Sequence, residues 1–295
     1  YKGTQTQGRD SHISANLGSA NAPAFRGTAY IVFENLPLAP YGNRIPQLSF
    51  EVYRSIETFG DEVKGAVLIP GSGEFVYSQT PVSEILGDGQ ALAENVHTRQ
   101  AATDWGASLR QFEQTLPNAK SVSLIVSWFG DDLRAGNCQL KPGVDRVDKV
   151  TEPLVWSVAG LGRASGHVIS QREGRPAYGG TPSDQTVVSA IEDLKARGLE
   201  AGLTPFILMD VPAGNTLPNP IDGSGSQPAY PWRGRISVSP GPGLPGTADK
   251  TPAAASQIAA FVGTAAVSDY SLSGTTVVYT GPAEWSYRRM VLHHA

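Results

Sequence analysis

The chain has 295 residues, enough for one large domain or two of ordinary size with a proper hydrophobic core. A net charge of −4, with lysine and arginine scattered along the chain, excludes the basic footprint of a nucleic-acid binder. The single cysteine, Cys138, excludes an internal disulfide framework and any multi-cysteine metal site, and no apolar run approaches the length of a membrane-crossing helix.

Charged residues make up 17 %, below the usual quarter or so, whereas the 33 glycines and 22 prolines exceed average use. Because the apolar fraction is still 40 %, this composition predicts long, ordered loops rather than disorder. The chain opens on Tyr1 in a polar stretch and closes in EWSYRRMVLHHA, a helical pattern with no stop signal. Both ends read as cuts, and a segment of a larger protein is expected.

Residues 1–57 have β character. FRGTAYIVFENLPL holds one expected strand, Thr28 to Glu34. PQLSFEVYRSI holds another, in which Leu48, Phe50 and Val52 alternate with Ser49, Glu51 and Tyr53. Two strands do not make a stable unit alone, so pairing with sheet from outside the segment is expected. In VKGAVLIPG a short apolar strand, Ala66 to Ile69, is stopped by Pro70-Gly71. The rest of 58–104 reads as a connector.

From Thr103 the pattern is regular. Trp105, Leu109, Phe112 and Leu116 lie on one helical face, with Thr103 as N-cap and Pro117 as terminator. SVSLIVSWF, 121–129, reads as a buried strand covered on both faces. Some 50 Gly- and Pro-rich residues follow. In TPSDQTVVSAIEDLKARG, Thr181 can cap, Pro182 takes the first helical position and Asp184 completes a capping box. Val187, Ile191 and Leu194 form the inner stripe, Asp193 and Arg197 pair at i,i+4, and Gly198 stops the helix. LTPFILMDVP gives the next apolar strand, 203–211, ending near Asp210. Strand, helix, strand predicts a βαβ unit in a parallel sheet, with the two strands adjacent. Further helices are expected from Thr251 to Gly263 and from Pro282. Periodicity leaves a doubly wound sheet and an eight-stranded barrel both open.

The strings WFGDDLRAGNCQLKPGV, GGTPSDQTVVSAIEDLKARGLEAGLTPFILMDVPAGN and YPWRGRI resemble the TIM-barrel-like domain of phage-type tail-tip proteins, found in gene transfer agents and tailed phages of alphaproteobacteria. The preceding NAPAFRGTAYIVFENLPLAPYGNRIPQLSFEV resembles the end of the tail-hub domain of the same large proteins. The resemblance spans almost the whole chain. It implies an α/β fold in two parts: residues 1–57 as the C-terminal part of a β-rich baseplate hub domain, and 58–295 as the incomplete start of a barrel like those of glycoside hydrolases. It also implies a homotrimeric ring in the tail tip of a virion. Its neighbours there would be a distal tail protein, other baseplate proteins, and a glycan or receptor of the host envelope. Two barrel strands, 121–129 and 203–211, are expected within the segment.

In such a barrel, functional groups sit at the C-terminal ends of the strands. Asp131, Asp132 and Asp210 fall there and are the candidate catalytic carboxylates, since glycoside hydrolysis needs an acid and a base or nucleophile roughly 5–10 Å apart. The competing reading makes Gly130-Asp131-Asp132 a turn whose aspartates bind local backbone or pair with Arg134. Tyr230 and Trp232 are candidates for stacking on sugar rings. His293 and His294 are adjacent on a helix and point apart, while His12, His97 and His167 stand alone, so no metal site is expected. Cys138, in a Gly-rich loop, reads as a small buried thiol. GPGLPG, 241–246, lacks the following GK[ST] and the flanking elements of a phosphate loop, and no cofactor is expected. Two functions compete: a structural part of a tail-tip assembly that engages and penetrates a bacterial envelope, and a hydrolase of cell-wall or capsular glycan, for which this segment alone is expected to be inactive.

Overall fold

The computed structural model describes residues 1–42, 44–52, 59–69, 73–231 and 234–295. The chain divides into two compact units, Tyr1–Val52 and Tyr53–Ala295. The boundary expected at 57/58 falls in 53–58, outside the described residues.

In the first unit the expected strands do not form among the described residues. Ser11–Leu17 is a short helix (α1) capped by the Asp10 carboxylate, which accepts from Ile13 N–H. The 28–34 stretch contributes one isolated bridge, Ala29 to Lys2, and 44–52 carries no strand assignment. The alternation is real, yet a strand is defined by its ladder, and neither stretch has one here. Their aromatic residues still meet: the Phe33 and Phe50 rings lie 6.4 Å apart, both about half exposed.

The second unit is built on a parallel sheet of three strands, in the order β1 (Gly65–Leu68), β2 (Ser121–Gly130), β3 (Glu200–Met209). Registers run Gly65 to Ser121 on one side and Glu200 to Ser121 on the other. The two long strands are adjacent and parallel as the sequence predicts. The short strand expected at Ala66 to Ile69 also forms, one residue earlier, and is the third parallel strand of the same sheet. Pro205 has no N–H to donate, and it is tolerated because β3 is an edge strand among the described residues.

The sheet has two unlike faces. Val122, Leu124 and Val126 are buried under α2 (Asp104–Thr115) and α3 (Asp184–Ala196), where they meet Trp105, Leu109, Phe112, Val187, Ala190 and Leu194. On the opposite face Ser121, Ser123, Ile125 and Ser127 are half-buried, with Ser123 Oγ 2.6 Å from Thr204 Oγ1 across the two long strands. Coverage on both faces was expected from the apolar run. The serines interleaved in SVSLIVSW mark the second face as only partly covered, and full burial begins at Trp128. Trp105 also donates Nε1–H to Asp193 at 2.8 Å, locking α2 to α3.

Helix ends follow local chemistry, with two corrections. Thr103 caps α2 through Gly106 N–H, as predicted. The N-cap of α3 is Ser183 rather than Thr181. The Thr181 hydroxyl instead donates to Ser127 O at 2.7 Å and accepts from Gly143 N–H at 2.8 Å, and Asp184 accepts from Ala159 N–H. Helix α4 is Pro252–Val262, with N-cap Thr251. The last helix, α5, spans Tyr287–His293 and is capped by Ser286, five residues later than the start expected at Pro282. Glu284 is drawn out of the helix because its carboxylate accepts from Thr264 and Ala265 N–H and from the Ser286 hydroxyl. No described helix is long and apolar enough to cross a membrane.

The Gly- and Pro-rich 131–183 stretch is ordered by short pairings and ion pairs. Leu140–Lys141 pairs antiparallel with the end of β2, and Gly143–Val144 pairs with His167–Val168. Beneath them the buried Glu74 holds Arg163 in a two-pronged ion pair, and Lys149 binds Glu94 at 2.9 Å and Asp145 at 2.5 Å.

Candidate functional site

Parallel strands end together, so β2 and β3 deliver their following residues to one edge. Met209 is in register with Gly130, and Asp210 N–H donates to Gly130 O at 2.8 Å, carrying the ladder one residue further. Gly130 permits this closeness: a Cβ there would stand 2.7 Å from Met209 Sδ and 3.3 Å from Cys138 Sγ. Asp131 and Asp210 are thus brought to the same end of the sheet by strand register alone.

The three carboxylates are held in three different ways. Asp132 is buried and saturated: its oxygens accept from Arg134 N–H, from the Arg134 guanidinium at 2.6–3.1 Å and from the Gln227 amide at 2.7 Å. Burial pushes its carboxyl up, but the Arg134 and Gln227 hydrogen bonds outweigh that and hold it below the usual carboxylate range. Its contacts are those of a turn.

Asp131 is half-buried and accepts from Gln139 N–H at 2.8 Å. Burial pushes its carboxyl above the ordinary aspartate value, in spite of that hydrogen bond.

Asp210 is 1 % exposed. Its Oδ2 accepts from His167 Nε2 at 2.7 Å and from Ser170 N–H at 2.9 Å, while its Oδ1 is buried without a hydrogen-bond partner among the described residues. The His167 ring stacks on Phe129 at 5.8 Å with planes 12° apart, and a fifth of its side chain reaches solvent. Backbone pairing fixes it further, since His167 N–H donates to Pro142 O at 2.9 Å.

Aromatic groups flank this edge. Tyr178 donates its hydroxyl to Met209 O at 3.2 Å, and its ring lies 6.0 Å from that of Phe129. Tyr230 reaches over the same loop, its hydroxyl donating to Gln171 O at 3.0 Å and its backbone N–H to Val211 O. The backbone of Tyr230 sits at φ 49°, a left-handed conformation that a tyrosine adopts only when its surroundings hold it there. Trp232, the second stacking candidate, lies outside the described residues.

Sequence reading placed Asp131 and Asp210 at this edge but set His167 aside as solitary. A lone histidine in a Gly-rich loop carries no local signal, and the partner that defines it is a strand-end residue far along the chain. No group of three or more potential metal ligands occurs among the described residues. Cys138 is buried, and burial pushes its thiol up to about 12, so it is protonated at neutral pH. Chemically, the edge offers a carboxyl with raised proton affinity at the same sheet end as an imidazole fixed by a buried carboxylate. No protein-family model matches the chain, and a search of curated proteins finds no significant match.

Proposed function

We propose that this chain is part of the baseplate hub and tail tip of a phage-type particle, in which Tyr53–Ala295 contributes the wall of a TIM-barrel-like domain. The observation that carries the reading is the sheet itself. Three parallel strands have helices packed on one face, and a second face with half-buried Ser123, Ile125 and Thr204 suits closure against further strands. The quoted resemblance to tail-tip proteins supplies the particle and its location at the tail tip. It also supplies the homotrimer, the distal tail protein above and the envelope glycan or receptor below. Exposed Ile31, Phe33, Phe50 and Val52 in the first unit give a physical reason for neighbouring copies to associate. Mass measurement of the isolated hub, together with antibody labelling of particles, tests this: a trimer labelled at the tail tip supports it, and a monomer or label elsewhere contradicts it.

A second reading, hydrolysis of an envelope glycan, is favoured by one observation. The edge where β2 and β3 end brings together Asp131, with its raised proton affinity, and the His167–Asp210 pair. Release of reducing sugar from purified envelope glycan is its direct assay.

A further inference from the structure

The proton chemistry of this edge is not that of a carboxylate pair. Of the three aspartates, Asp132 is saturated by Arg134 and Gln227, and Asp210 is sealed from solvent. Neither can approach a substrate. What the buried Asp210 does is fix an imidazole. A carboxylate only accepts hydrogen bonds, so the His167 nitrogen facing it, Nε2, carries the hydrogen. In the neutral ring the other nitrogen, Nδ1, then holds a lone pair.

Nδ1 has no hydrogen-bond partner among the described residues, and the side chain is partly open to solvent. Phe129 holds the ring plane from behind. The unpartnered Oδ1 of Asp210 is the second sign that this carboxylate is not placed only to satisfy structure.

We propose that His167 Nδ1 is the proton acceptor of this site, that Asp210 is its positioning residue, and that Asp131 is the proton donor. The inference rests on the glycan-hydrolase reading for its substrate class, a glycosidic linkage attacked by water. A water molecule gives one proton to Nδ1 as its oxygen bonds to the anomeric carbon. The bond from that carbon to the leaving oxygen breaks, and that oxygen takes the Asp131 proton. The imidazolium then returns a proton through solvent to the Asp131 carboxylate, so the net change is one water added across the linkage. Burial, which raises the proton affinity of Asp131, suits it to the donor role.

The test uses the complete tail-tip protein of the proposed function, because this segment alone is expected to be inactive, and it has two readouts. The first is the ¹⁵N NMR signature of His167. An Nε2–H tautomer whose hydrogen-bonded shift Asp210→Ala abolishes is expected, and an Nδ1–H tautomer, or a shift indifferent to Asp210→Ala, overturns the proposal. The second is sugar release from purified envelope glycan. Losses of about 10²–10⁴-fold are expected for His167→Gln and Asp131→Asn, against no change for His97→Gln, an exposed histidine paired with Asp104. Asp210→Asn is expected to lower kcat with KM unaltered, and Asp210→Glu to restore part of it. Activity of His167→Gln within tenfold of the parent overturns the assignment. If the complete parent protein releases no sugar, the hydrolase reading and the reaction assigned to His167 both fall. The tautomer then decides whether the acceptor itself is built as described.

Discussion

His167 Nε2 lies 2.7 Å from Asp210 Oδ2, tying a loop histidine to the strand-end carboxylate that follows it by 43 residues. The same oxygen takes Ser170 N–H, so one buried atom anchors both ends of a short loop passage. Strand register sets where Asp210 stands, and Asp210 in turn sets where His167 stands. The site is therefore only as rigid as the β2–β3 pairing beneath it.

Replacing Asp210 by alanine is expected to destabilise the protein by about 2–4 kcal/mol, because the His167 and Ser170 N–H groups each lose their partner in a buried setting. Asp210→Asn, which keeps an acceptor, costs less. Urea unfolding gives the magnitude, and hydrogen exchange at 167–171 reads the loop directly. Unaltered exchange in the alanine variant would show that Asp210 does not hold the loop.

Thr181 is expected to matter as a bridge and not as a helix cap. Its hydroxyl joins Ser127 O on β2 to Gly143 N–H in the following loop, and the residue is fully buried. Thr181→Val keeps the volume but strands both backbone groups, at a cost of about 1–3 kcal/mol, whereas Thr181→Ser keeps the hydroxyl and most of the stability. Equal unfolding midpoints for the two variants would contradict the bridging role.

The outcome at Thr181 shows where sequence stopped being legible. Local periodicity located α2, α3 and the two long strands, and wholly apolar cores predicted their parallel pairing, because both signals live within a dozen residues. Capping of α3 was misread by two positions. Thr181 has the right side chain at the right distance, but Ser127 and Gly143, remote in sequence, compete for its hydroxyl and win. The strands expected at 28–34 and 48–53 form no ladder among the described residues, and the sequence reading already sought their pairing outside the segment. At the site, Asp131 and Asp210 were legible as strand-end positions. The division of labour among Asp131, Asp132 and Asp210 was not, since it depends on Arg134, Gln227 and His167 folding back over them.

The Trp105–Asp193 contact predicts an asymmetry between two neighbouring substitutions. Asp193→Ala leaves the buried Trp105 Nε1–H without an acceptor and is expected to cost about 1–3 kcal/mol. Arg197→Ala removes ion pairs to Asp193 and Glu113, but its side chain is 36 % exposed, so a change within about 1 kcal/mol is expected. Thermal unfolding of the two variants ranks them. A larger loss for Arg197→Ala would mean that the salt bridges, not the indole, join the helices.

Arg163 faces a deeply buried carboxylate. Glu74 is 2 % exposed, and burial pushes its carboxyl above the ordinary range even with the Arg163 guanidinium against it. Arg163→Met would leave that charge uncompensated, with an expected loss of about 3–5 kcal/mol, while Arg163→Met with Glu74→Met recovers most of it. Because the folded carboxyl binds its proton more tightly than an unfolded glutamate, the penalty in the single variant shrinks as pH falls through the carboxylate range and grows as pH rises. A single-variant penalty that grew on acidification would contradict this.

His294 supplies the pH dependence nearest to neutrality. Burial, with the adjoining His293, depresses its imidazole to about 4, outweighing the Met290 carbonyl that it meets at 2.7 Å and the more distant Asp184. An unfolded histidine titrates near 6.5. The unfolded chain therefore takes up a proton between about 6.5 and 4 that the folded chain refuses. Stability from this residue is fully present above the upper value and lost as pH falls through the window. The ring also packs against Trp128, at 5.7 Å between centroids, so α5 is the element that loosens first. Urea unfolding at pH 7 and pH 5 is expected to show a drop that His294→Phe, which keeps the ring and removes the titration, largely abolishes. An equal drop in His294→Phe would assign the acid sensitivity to another group.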